Sequence, residues 1–251
     1  MPRFCANLTL LFTEVPLADR FSAARNHGFG GVEVLFPGEL GVAGCAQRVD
    51  SAGLPLALLN CPVDTPDPAT FGSAANPERR TEFNAELERA LSFAERLRPD
   101  FVHLMAGRTI AADWRDVFCE NLQRATQKAP WQTFTIEPLN TFDVPEYALC
   151  DFDTALEIIE DVAAPNLRLQ FDTYHAHRIT GDIIGTWHKV CKHTAHIQIG
   201  GIPDRHEPLD GEFHYSDFFS ELDRTGYKGW VSGEYHPKHQ TGDGLSWLRA
   251  L

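Results

Sequence analysis

Short, continuous apolar runs alternate along the chain with longer stretches in which apolar residues recur at helical spacing. The runs predict strands at Arg3–Asn7, Gly31–Phe36, Leu54–Asn60, Phe101–Leu104, Thr133–Glu137, Leu167–Asp172, Thr194–Ile199 and Gly229–Glu234. Between them lie amphipathic stripes. Leu17, Phe21 and Ala24 form the first, ended by His27-Gly28, and a weaker helix over Glu39–Ala52 ends at Gly53. Asn76 and Pro77 have the chemistry of an N-cap and a first helical position. The helix they open keeps Phe83, Leu87, Ala90, Leu91, Ala94 and Leu97 on one face. Asp113 is expected to cap the next helix. Further helices start at Asp153 (Leu156, Ile159 and Val162 inward), at Asp182 and at a Ser216 cap, and a short one covers Asp243–Leu251.

The alternation gives eight strand–helix units in 251 residues, about 31 residues each, which predicts an α/β fold: a single (β/α)₈ barrel over residues 1–251. Several strands also end on an oxygen donor. Thr133–Glu137 ends on a carboxylate and is stopped by Pro138, Leu167–Asp172 ends on an acid, Gln198 lies near the end of strand seven, and Glu234 ends strand eight. Separations of 35, 26 and 36 residues are each about one unit, so all four side chains would reach one rim. Active sites of such barrels lie at the C-terminal rim. Three carboxylates and an amide oxygen form a hard donor set suited to Mg²⁺ or Mn²⁺, whereas zinc would favour more His or Cys. The loops Cys61–Asn76 and Gly200–His214 are long and fit pocket walls.

Charge narrows the partners. Lys and Arg number 22 against 35 Asp and Glu, a net −13 that argues against nucleic acid and leaves room for a small anion held by local arginines. No apolar run approaches the ~20 residues of a membrane span, and the N-terminus does not read as a signal peptide. The six cysteines are scattered without a CxxC pair, which fits reduced thiols in a cytoplasmic protein. Oligomeric state is left open.

The segments Arg3–Leu8, Gly31-Val32-Glu33 with Phe36-Pro37, Ile136–Asn140, Gln170–His175, His196–Gln198, Arg205–Pro208, Gly211-Glu212, Gly226-Tyr227, Gly229–Val231 and Gly233–Pro237 together resemble the hydroxypyruvate isomerase family of xylose-isomerase-like barrels, nearly end to end. The resemblance implies an aldose–ketose isomerase acting on a small 2-oxo acid, with Glu137 and Glu234 as paired catalytic carboxylates. It implies a divalent metal on Glu137, Asp172, Gln198 and Glu234, and a hydrogen bond from His175, in the loop after strand six, to a substrate oxygen. Arg205 or Arg108 would pair with the substrate carboxylate, Arg205 being the stronger candidate. Glu33 reads as a structural hydrogen-bond acceptor, His103 as structural, and Trp230 and Tyr235 as core or pocket wall. Leu209-Asp210 and Cys5 depart from the family pattern, the first at a substrate loop. Interconversion of hydroxypyruvate and tartronate semialdehyde is the leading activity. A longer 2-oxo-tetronate is the near alternative, and ketose 3-epimerisation ranks lower because related epimerases usually carry histidine at the place of Gln198. Metal-dependent cleavage of abasic DNA and a silent sugar-acid binder fit the charge and the paired glutamates less well.

Overall fold

In the computed structural model, which describes residues 3–65, 67–208 and 211–249, eight parallel strands close into a barrel in chain order. The strands are β1 (Arg3–Asn7), β2 (Gly31–Glu33), β3 (Leu56–Cys61), β4 (Phe101–Leu104), β5 (Thr133–Ile136), β6 (Leu167–Asp172), β7 (Thr194–Ile199) and β8 (Trp230–Gly233). Every residue of β3 is buried, as a strand covered on both faces requires. Outside them pack α1 (Leu17–Asn26), α2 (Gly41–Ala52), α3 (Arg80–Leu97), α4 (Trp114–Lys128), α5 (Phe152–Val162), α6 (Thr173–Thr180), α7 (Ile183–Val190) and α8 (Tyr215–Arg224). The predicted apolar face of α3 is wholly buried, and the Asn76 side chain accepts from the Glu78 N–H at 3.0 Å to start a 3₁₀ turn, Pro77–Arg79, that leads into it. Asp182 caps α7 by accepting from the Gly185 N–H at 2.8 Å.

Several boundaries differ from expectation. β2 stops at Glu33 rather than Phe36, and its ladder with β3 shifts register between Val32 and Glu33. α5 is capped by Asp151, which accepts from the Thr154 N–H at 2.8 Å, so Asp153 falls in its first turn. Ile158 is buried there while Leu156 is only half-buried. Asp113 precedes α4 but its side chain makes no capping bond, and Ser216 lies inside α8, after His214 at the cap position. The last helical segment is 3₁₀ and runs over Thr241–Arg249. Leu209-Asp210 lies outside the described residues. No helix among the described residues is long and apolar enough to cross a membrane.

Candidate active site

The expected donors do gather at one end of the barrel. Asp172 closes β6, directly paired with Gln198 on β7, and Glu137 and Glu234 follow β5 and β8. Glu137, Gln198, Glu234, His175 and Arg205 line one cavity of about 240 Å³. Asp172 lies behind Arg205, whose Nη2 donates to Asp172 Oδ2 at 2.8 Å and to Glu234 Oε1 at 2.7 Å. Arg205 reaches this place from a left-handed backbone, φ 55°, with its guanidinium carbon 4.9 Å from the centre of the Tyr174 ring. Arg108 is not brought in. It is half-buried, its N–H donates to the Thr70 carbonyl at 2.7 Å, and it pairs with Tyr147 away from the cavity lining.

Asp172 has a second task, in keeping with its place between a strand and a helix. Its Oδ1 accepts from the N–H groups of Tyr174 at 2.7 Å and His175 at 3.4 Å, capping α6. His175 is therefore on a helix, not in a loop. Its Nδ1 accepts from the backbone N–H of Asn140 at 3.1 Å, so the ring proton sits on Nε2, which faces the site 3.9 Å from Asp172 Oδ2. Burial, with the Arg205 charge adding, holds the ring well below the ordinary histidine range, and it stays neutral. Glu137, Asp172 and His175 could together grip a cation, but the lone pair that ligation needs is absent from the Nε2 side.

Beneath these groups runs a buried network. Glu33 accepts from Asn7 Nδ2 at 2.8 Å, Gln198 Nε2 at 2.9 Å and His196 Nε2 at 2.6 Å, which is the acceptor role expected of it. Asn7 Nδ2 also donates to Glu234 Oε2 at 3.0 Å. Gln170 Nε2 donates to Glu137 Oε2 at 2.8 Å and to Gln198 Oε1 at 2.7 Å. A continuous chain, Glu234–Asn7–Glu33–Gln198–Gln170–Glu137, thus joins the two glutamates. Asn7, Asn60, His103 and Gln170 were not anticipated at the site. The signal was available for Gln170, which shares a strand face with Asp172 two residues on, and for Asn7 and Asn60 at strand ends. His103, expected to be structural, lines the cavity with Nδ1 3.7 Å from Glu137 Oε2. Burial, with His196 adding, pushes it down to about 3. Trp230 and Tyr235 are core: their N–H and O–H groups bond Asp100 and Trp247.

The charges are unbalanced. Burial raises all three carboxylates, Glu137 most clearly, with Asp172 and Glu234 repelling it. Glu234 is pushed up to about 8 by burial, with Arg205 opposing and Asp172 adding. Arg205 stays charged, because the three acids outweigh its own burial. Fully ionised, the three rim carboxylates against one guanidinium would carry two net negative charges, which one divalent cation would balance in place of the protons the acids otherwise keep. The donor set fits such an ion.

Comparison with known proteins identifies the family. The model of the xylose isomerase-like TIM barrel family matches residues 21–251. The 2-oxo-tetronate isomerase of Cupriavidus necator is 40% identical over 255 residues, 99% of this chain and 98% of its own. The hydroxypyruvate isomerase of Escherichia coli is 33% identical over 254 residues, 99% of this chain and 98% of its own. A solved structure described as an AP endonuclease, family 2, from Brucella melitensis superposes with a TM-score of 0.93 at 37% identity, over 99% of this chain and 98% of that one. The chain belongs to the xylose isomerase-like TIM barrel family and is an isomerase of the kind its sugar-acid relatives represent.

Proposed function

We propose that the protein interconverts a short 3-hydroxy-2-oxo acid and its isomer by moving one proton between C2 and C3 through an enediolate. The observation that carries this reading is the pair of buried carboxylates, Glu137 and Glu234, on one cavity beside Arg205. One glutamate takes the carbon-bound proton and it is returned to the neighbouring carbon, while the hydroxyl proton passes from the C3 oxygen to the C2 oxygen as the C–O bond orders exchange. The neutral His175 donates from Nε2 to a substrate oxygen and favours the charge that develops there. Arg205, whose Nε has no partner, offers that donor to the substrate carboxylate. Apolar groups of Leu35, Phe36, Phe71, Met105 and Leu139 keep water from the intermediate. Held by Glu137, Asp172, Gln198 and Glu234, Mg²⁺ or Mn²⁺ would supply Lewis-acid stabilisation of the substrate oxygens.

Two substrates share this chemistry. Hydroxypyruvate has three carbons, and 2-oxo-tetronate adds a hydroxymethyl group at C3. Greater identity to a 2-oxo-tetronate isomerase, 40% against 33%, supports the four-carbon acid, with hydroxypyruvate as the second reading. The likeness to a protein described as an AP endonuclease does not extend to DNA here, since a net −13 repels a phosphate backbone. A panel of three- to six-carbon 2-oxo acids and ketoses, given to metal-stripped protein and to protein reloaded with Mg²⁺ or Mn²⁺, tests the reading. Metal-dependent turnover of the short 2-oxo acids is expected; turnover of ketoses alone would contradict it.

A further inference from the structure

Two polar atoms in the cavity have nothing to bond. Asn60 Oδ1 and His103 Nε2 are buried without partners, on side chains that are 3% and 2% exposed. The two residues are direct register partners on β3 and β4, and both line the cavity. An unpaired buried polar atom is costly, and two on neighbouring strands of one cavity mark a place built for a ligand.

The chemistry of the pair follows from its neighbours. Asn60 Nδ2 is turned to the Met105 sulfur at 3.4 Å, a contact that calls for an N–H, so the amide oxygen is the atom left over. His103 Nδ1 lies 3.7 Å from Glu137 Oε2, too far to fix the tautomer, so Nε2 presents a lone pair in one tautomer and a proton in the other. A hydroxyl both donates and accepts, so it matches Asn60 Oδ1 and His103 Nε2 in either tautomer, whereas a carboxylate only accepts and is repelled by Asn60 Oδ1.

We propose that Asn60 and His103 form a hydroxyl-binding subsite that receives the terminal C4 hydroxyl of a four-carbon 3-hydroxy-2-oxo acid. This rests on the isomerase reading and deepens it. The substrate carboxylate then lies toward Arg205 and the hydroxymethyl end toward β3 and β4, with C2 and C3 between Glu137 and Glu234. Hydroxypyruvate has no C4, so it leaves both polar atoms unmatched. The subsite, not the proton-transfer pair, selects chain length.

The test compares kcat/KM for the four-carbon acid with kcat/KM for its 4-deoxy analogue, 3-hydroxy-2-oxobutanoate, on metal-loaded protein. The wild type should favour the hydroxylated acid by ~10–100-fold, the usual cost of leaving buried polar groups unpaired. Asn60→Leu and His103→Leu should each bring that ratio toward one. The wild-type ratio carries the test even if a variant does not fold, because it needs no substitution. A wild-type ratio near one, with hydroxypyruvate still isomerised, overturns the subsite and leaves the isomerase reading standing. A ratio unchanged in both folded variants also overturns it. Turnover of no 2-oxo acid at all overturns both.

Discussion

Gln198 Nε2 donates to Glu33 Oε1 at 2.9 Å in the interior of the barrel, and this bond decides which end of the Gln198 amide faces the carboxylates. A carboxylate can only accept, so the amide nitrogen must turn to Glu33 and the oxygen toward the site. Glu33 thereby acts on any bound cation through Gln198 without touching it. Glu33→Gln, which offers an amide where the acceptor was, is expected to lower divalent-metal affinity by ~10–100-fold, as the loss of a supporting hydrogen bond does. Isothermal titration of metal-stripped protein measures this. Unchanged affinity in a folded variant would show that Glu33 only fills space.

His175 is expected to act as a donor and not as a ligand. Its Nδ1 is committed to the Asn140 N–H, so His175→Ala should lower kcat/KM by ~10²-fold while metal affinity stays within a few-fold. A large loss of metal affinity, read by the same titration, would place His175 among the ligands.

The acids also make the metal-free protein sensitive to pH. Glu234 keeps its proton up to about 8 when folded, against the ordinary carboxylate range when unfolded. The folded state then binds more protons than the unfolded one between about pH 5 and about pH 8, and stability must fall as pH rises through that window. Thermal melts of stripped protein should show Tm declining across it. Added Mg²⁺ should flatten the decline by taking the place of the proton. A Tm that rises with pH in the stripped protein would contradict the assignment.

Thiol reactivity gives a separate check on the core. Burial pushes Cys45 up to about 12 and raises Cys5 and Cys61 as well. The thiolate is the nucleophile, so these three should resist iodoacetamide in the native protein at pH 8 and react after denaturation. Mass spectrometry of the labelled peptides reads this directly, and rapid native labelling of Cys45 would refute the packing around α2.

The barrel was legible because each strand reads as an apolar run and each helix as a stripe, at a repeat set by the strand–helix unit. The rim was legible because polar residues at the ends of buried strands stand out, which located Glu137, Asp172, Gln198 and Glu234. The bonds of the supporting residues were not. Asn7 and Gln170 stand where they could reach the rim, but their partners are set only when closure brings β1 beside β8 and β5 beside β6. Arg108 and Arg205 both lie in loops after strands, and sequence could not say that only Arg205 turns into the cavity. The register shift in β2 leaves no mark in the apolar pattern.

The proposed reaction requires Glu137 and Glu234 to carry the proton between adjacent carbons. The most direct measurement is the rate of isomerisation of 2-oxo-tetronate and hydroxypyruvate by metal-loaded Glu137→Gln and Glu234→Gln, with metal content checked in each. Loss of more than ~10²-fold in kcat for each variant is predicted. A wild-type rate from either metal-loaded variant would contradict the paired-glutamate account.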